Sequence, residues 1–189
     1  MQVVLLEPEI PFNTGAIGRT CVATNTELHL VRPYGFTISD KHIKRAGMDY
    51  WEKLKLREYL DYEDFMKQNS RISFDGEPEA NVSTEQPKLW FATTKGRRTY
   101  AEVSFGPNDY LMFGKESAGI PEEILIRHPD ACIRIPMWGD IRSLNLSNAA
   151  AVVLYEALRQ NGFEHMEKQG QLHHHRWEET KRENGWRTE

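Results

Sequence analysis

The residues with the most chemical content fall in three short segments. The first is Pro11-Phe12-Asn13-Thr14-Gly15-Ala16-Ile17-Gly18-Arg19, where a turn-like Asn13-Thr14-Gly15 exposes backbone N–H groups and caps a helix that carries Arg19 one turn in. The second spans residues 111–121, where a buried, strand-like run enters Gly114 and Gly119 follows five residues later. Glycine has no Cβ, so the backbone there can approach a ligand closely. The third begins with Ile133-Arg134-Ile135-Pro136-Met137 and continues through Arg142-Ser143-Leu144-Asn145 to Leu146-Ser147-Asn148. A strand leads through a polar loop into a long helix. The chemistry on offer is recognition by backbone groups and neutral polar side chains, with guanidinium groups nearby.

More familiar chemistries fail on spacing. Gly114-Lys115-Glu116-Ser117 hints at a phosphate loop, but position 109 is Asp109 rather than glycine, and Lys115 is followed by Glu116 rather than Ser or Thr. Gly15-Ala16-Ile17-Gly18 lacks the dinucleotide-binding spacing. No Gly-x-Ser-x-Gly elbow occurs. His173-His174-His175 sits in a polar tail without an acidic or cysteine ligand cluster, so no metal site is expected.

The three segments need a scaffold, and the hydrophobic pattern describes one. Residues 3–6, 28–31, 54–59, 89–93, 110–113 and 132–135 read as strands. The first helix runs through Arg19 to about residue 24. Strand, helix and strand within about thirty residues form a βαβ unit with parallel strands. Residues 40–47, 61–68 (with an aspartate cap) and 121–127 read as short helices, and 147–160 as the best helix, with Ala149, Val152, Val153, Tyr155, Glu156 and Leu158 on its dense face. Residues 70–87 form a polar surface loop or insertion with Gly76, Pro78 and Pro87. Beyond Phe163 the chain is a polar tail, helical or disordered.

Composition narrows the class. The 189 residues have a net charge of -4 and a hydrophobic fraction of 39%. A non-specific nucleic-acid coat needs a basic surface; here positive charge is local, at Lys41, Lys44, Arg45, Lys53, Lys55 and Arg57, and again at Lys95, Arg97 and Arg98. No stretch is apolar over the ~18 residues of a membrane span. The amino-terminal Met1-Gln2-Val3-Val4-Leu5-Leu6-Glu7 reaches a charge too early for a signal peptide. A cytoplasmic protein without a membrane partner is expected. The two cysteines, Cys21 and Cys132, read as reduced, partly buried thiols.

Together the three segments resemble the three signature motifs of the SPOUT-class RNA 2′-O-methyltransferases, in order and near register. The resemblance is greatest to the small single-domain tRNA (cytidine/uridine) wobble-position 2′-O-methyltransferases, with further echoes at Glu7-Pro8-Glu9-Ile10-Pro11, Arg45-Ala46-Gly47-Met48-Asp49-Tyr50 and Thr93-Thr94-Lys95-Gly96. It implies a fold: α/β, a mainly parallel sheet flanked by helices, with a C-terminal trefoil knot. It divides the chain into a SPOUT methyltransferase domain, 1–163, and the polar tail, 164–189. The implied activity is methyl transfer from S-adenosylmethionine, without a metal, to the ribose 2′-OH of the wobble cytidine or uridine in tRNA. Alternatives on the same scaffold are 2′-O-methylation of another tRNA or rRNA position, and a non-catalytic RNA- or S-adenosylmethionine-binding protein.

The resemblance also implies roles. Ala92, Gly114, Ile135 and Ser143 contact the adenosine, with Met137 and Leu144 close by; a Cβ at Gly114 crowds the ligand. Ordinary core packing also accounts for Ile135 and Leu144. Arg19 lies beside the target ribose and phosphate, with Asn145 and Ser143 as further catalytic candidates fixing the loop or the hydroxyl. Arginine is a poor base at its normal pKa, so positioning the phosphate and the developing alkoxide is physically easier than proton abstraction. Asn13 orients Arg19, Glu116 matches an acidic motif position or pairs with a basic neighbour, and Tyr155 packs inward. Lys44, Arg45 and Lys95 grip the tRNA anticodon stem-loop, and a homodimer completes each site.

Overall fold

The computed structural model describes residues 1–36, 51–74 and 86–177. The expected helix 40–47, the basic residues Lys41, Lys44 and Arg45, most of the 70–87 insertion and the end of the tail lie outside the described residues.

The strands are β1 (Gln2–Leu6), β2 (Glu27–Val31), β3 (Leu56–Tyr59), β4 (Leu89–Ala92), β5 (Arg98–Thr99), β6 (Tyr110–Phe113) and β7 (Cys132–Arg134). They form one seven-stranded sheet in the order β3-β2-β1-β6-β4-β7-β5. Every pair is parallel, including the expected β1–β2 pair with Val3 opposite Leu28. A parallel sheet is covered on both faces, which is why its central strands read as unbroken apolar runs. The helices are α1 (Pro11–Ala23), α2 (Tyr62–Gln68), α3 (Glu122–Leu125) and α4 (Leu146–Gln160). Val3 and Leu5 of β1 join Ile17 and Cys21 of α1 and Val153 and Leu154 of α4 in one core. Val4 and Leu6, pointing the other way, join Phe65 of α2 and Leu125 of α3 in a second. Each such side chain contributes roughly 2 kcal/mol by burial, so both layers hold the sheet.

Several local expectations change. Asn13-Thr14-Gly15 is not an exposed turn: α1 has already begun at Pro11, and the N–H groups of Asn13 and Thr14 donate to the Ile10 carbonyl. Proline at the first helical position fixes φ and loses no hydrogen bond there, so it starts the helix ahead of the polar signal. On α4 the buried residues are Ala150, Val153, Leu154 and Ala157, while Tyr155 is 43% exposed and not an inward packing residue. The helical period puts position 155 on the outer face once 153, 154 and 157 face in. Asp61 caps α2 as expected, accepting the Asp64 N–H at 2.7 Å. Strand β5 was not legible, being only two residues long. The cysteines are free and fully buried rather than partly so. The tail from Glu164 to Trp177 is exposed except at the half-buried Met166, and not helical. No helix among the described residues is long and apolar enough to cross a membrane.

One buried polar group links the fold to pH. His29 of β2 is 1% exposed, with Nδ1 2.7 Å from the Tyr59 hydroxyl and Nε2 3.2 Å from Gln2 Oε1. Burial pushes its pKa down to about 4, against the opposing pull of Glu27. The unfolded chain binds the proton near the ordinary value of about 6.5, so stability falls as pH drops from there toward 4. The expected loss across that window is about 3 kcal/mol. Urea unfolding at pH 7 and pH 4.5 measures it; a His29→Gln variant with the same pH slope as the wild type refutes the assignment.

Candidate active site

All seven strands run the same way, so the loops after them gather along one edge, where parallel α/β sheets hold their ligands. A cavity of about 510 Å³ opens there. Its wall comes from the loops after β4, β6 and β7, the start of α1, and the first turns of α4. Ala92, Gly114, Ile135, Met137, Ser143 and Leu144 all line it, as do Asn13, Lys95 and Asn145. Asn13 and Asn145 lie 132 positions apart, about 430 Å along a fully extended chain at ~3.3 Å per residue, and meet at this one opening.

Arg19 is placed elsewhere. It is exposed in the third turn of α1 and is absent from the cavity wall. Six residues separate it from Asn13, which turns it about 120° around the helix. A single chain therefore does not bring Arg19 to this cavity. Lys44 and Arg45 lie outside the described residues. Lys95 forms an ion pair with Glu122 at 3.1 Å.

A hydrogen-bonded chain fixes the mouth. Glu116 accepts from the N–H groups of Glu9 (2.8 Å) and Ile10 (3.3 Å) and from Asn13 Nδ2 (2.9 Å). Asn13 Oδ1 accepts from Asn145 Nδ2 at 3.0 Å. Asn145 Oδ1 accepts the backbone N–H and the hydroxyl of Ser147, at 2.9 and 2.6 Å, and so caps α4. Glu9 in turn accepts from the backbone N–H and hydroxyl of Ser117, both at 2.8 Å, which hold its carboxyl below the usual range. Glu116 thus sits at the entry to α1 and takes N–H donors there, and Asn13 links it to Asn145.

Gly114 is also required for a reason other than the expected one. A Cβ there would lie 2.1 Å from the Gly119 carbonyl carbon and 2.3 Å from the Ile120 nitrogen. The crowding partner is the chain itself, which doubles back so that the Gly119 N–H donates to the Lys115 carbonyl at 2.8 Å. Gly119 makes that reversal at φ +72°.

The wall mixes apolar side chains (Phe113, Ile133, Ile135, Leu144, Val153) with exposed backbone and a few neutral polar groups. Such a surface suits a flat, largely apolar ligand with a hydrogen-bonding edge. No group of three or more metal-ligating side chains is found among the described residues. Thr93, Ile10, Ala149 and Val153 also line the cavity and were not named as site residues from the sequence. Thr93 had a usable signal, since it directly follows the carboxyl end of β4; Ala149 and Val153 look like any other inward helix residues.

Known proteins complete the picture. Residues 1–155 match the family described as SpoU rRNA Methylase. The chain belongs to the SpoU methylase family. A relative from Yersinia pestis, named tRNA (cytidine(34)-2'-O)-methyltransferase, is 46% identical over 164 residues, covering 86% of this chain and 95% of the relative. A solved structure concerned with the 2-OH methylation of C/U34 on tRNA superposes with a TM-score of 0.72 at 38% identity, covering 85% of this chain and 95% of that one. The AdoMet-bound rRNA methyltransferase of Sinorhizobium meliloti has a TM-score of 0.68 at 26% identity, over 84% of this SpoU methylase and 55% of the longer chain.

Proposed function

We propose that this SpoU methylase transfers a methyl group from S-adenosylmethionine to the ribose 2′-oxygen of the wobble nucleotide, cytidine or uridine 34, in tRNA. The observation that carries the reading is the near-full-length similarity to a tRNA (cytidine(34)-2'-O)-methyltransferase, together with the convergence of all three motif segments on one cavity. When bound, the donor supplies an already activated methyl group. The protein's work is then alignment and charge stabilisation. Ala92, Gly114, Ile135 and Ser143 present backbone and side-chain groups to the adenosine, with Met137 and Leu144 beside it. Asn145, held by Asn13 and Ser147, fixes the loop that carries Ser143.

Arg19 steadies the phosphate and the developing alkoxide, and it does so from a second subunit. The outer face of α1 and α4 bears Phe12, Val152 and Tyr155, all exposed in a single chain. A homodimer closing on this face brings Arg19 of one subunit toward the cavity of its partner. Lys95, with Lys44 and Arg45, grips the anticodon stem-loop. The methyltransferase domain spans 1–163, with 164–189 as a tail, and works in the cytoplasm. The C-terminal trefoil knot of the family belongs to this reading.

The test is transfer from labelled S-adenosylmethionine to bulk tRNA from a strain lacking the protein, with nucleoside mapping. The expected label sits on the 2′-oxygen of nucleotide 34. Labelled donor bound without transfer, or a label at another nucleotide, overturns the reading.

A further inference from the structure

Trp138 is 94% exposed, more than any other large apolar side chain described. It belongs to the loop between β7 and α4. Ile135 and Met137 before it and Arg142, Ser143 and Leu144 after it line the cavity, while Trp138 itself is absent from the wall. The indole therefore stands at the rim of the opening. Gly139 follows at φ +64°, a conformation that glycine adopts without strain. An indole left in water keeps roughly 200 Å² of mostly apolar surface wet, so a surface made only to be solvated has no use for it.

We propose that Trp138 is the platform on which a base of the RNA substrate stacks while its ribose reaches the cavity. The inference rests on the function proposed above. A 2′-hydroxyl can enter a recessed site only if its nucleotide leaves the stack of its neighbours, and the freed base then needs a new π-face. The rim supplies the matching charge. Arg142 lines the cavity four residues after the indole and Arg97 lies in the neighbouring loop after β4, with Asp140 the acid among residues 134–145. An aromatic face among guanidinium groups fits a nucleobase and its phosphates better than it fits the apolar surface of a protein. Stacking does not read the base edge, so this contact tolerates cytidine and uridine alike.

The test compares Trp138→Ala and Trp138→Phe with the wild type, using tRNA from a strain lacking the protein. For Trp138→Ala the KM for tRNA is expected to rise about 10-fold, the scale of losing one base–aromatic stack, with kcat little changed. Trp138→Phe is expected to keep most of the wild-type value. Donor affinity by calorimetry and mass by light scattering are expected to be unchanged. Wild-type KM in Trp138→Ala overturns the proposal; so does a loss of donor affinity, which makes the indole a lid, or a change of mass, which makes it a subunit contact. Absence of transfer by the wild type is a failure of the underlying function instead. Stacking is then decided by fluorescence: tRNA added to wild type and to Trp138→Phe, each saturated with S-adenosylhomocysteine, is expected to quench the wild type more, and equal quenching overturns the proposal.

Discussion

Gly114→Ala is expected to lose donor binding by about 100-fold or more and to lower the melting temperature by several degrees. The added methyl would sit 2.1 Å from one backbone carbon and 2.3 Å from a backbone nitrogen. Neither is the movable end of a side chain. Overpacking typically costs about 1–3 kcal/mol where neighbours can shift, and a rigid backbone crossing belongs at or above the top of that range. For a chain of this size about 3 kcal/mol corresponds to roughly 6–12 °C. Relief comes only if the loop after β6 opens, and that loop is cavity wall. Gly119→Ala is the informative comparison. It has open space around its Cβ position but a φ of +72°, so it incurs only the left-handed strain of about 1–2 kcal/mol. Calorimetric titration with the donor and thermal melts measure both variants. Wild-type affinity and melting in Gly114→Ala would remove the crossing from any role in shaping the site.

Arg19→Ala is expected to leave donor affinity unchanged and to reduce kcat/KM by at least about 100-fold, the scale of removing one group that stabilises developing negative charge. The separation of the two effects follows from the geometry: Arg19 is exposed on α1 and contributes nothing to the cavity wall of its own chain. Complementation locates its site of action. Leu144→Arg blocks the cavity at a half-exposed position and leaves α1 intact. Co-expressed with Arg19→Ala, it is expected to restore partial activity, because a mixed dimer holds one intact cavity facing one intact Arg19. Two inactive parents with an inactive mixture would place Arg19 in its own subunit's chemistry or outside chemistry altogether.

The sheet was legible because its central strands are buried on both faces. Val3, Leu28, Leu111 and their neighbours announce themselves without help from tertiary context. The cavity wall was legible for a different reason: Gly114, Ile135 and Ser143–Asn145 fall in motifs whose resemblance carries their position. What the sequence could not show depended on long-range placement. The start of α1 was misread because Asn13-Thr14-Gly15 is a genuine local turn signal, overridden by Pro11 and by Glu116 arriving from 106 and 107 residues away to accept the N–H groups at the helix entry. Gly114 was assigned the right importance with the wrong neighbour, since the loop after β6 folds back and puts Gly119 and Ile120 against it. Tyr155 was turned inward because its helix is apolar on more than one side, and periodicity alone did not choose between them.

The bond from Asn145 to Asn13 joins residues 132 positions apart. It has a consequence for biosynthesis. A nascent chain emerging from the ribosome can form β1, α1 and β2 early, but the mouth of the cavity stays unfinished until α4 has been made and docked. Contacts of such long sequence separation form late. A chain interrupted before its last helix therefore lacks the bond that closes the mouth of the cavity.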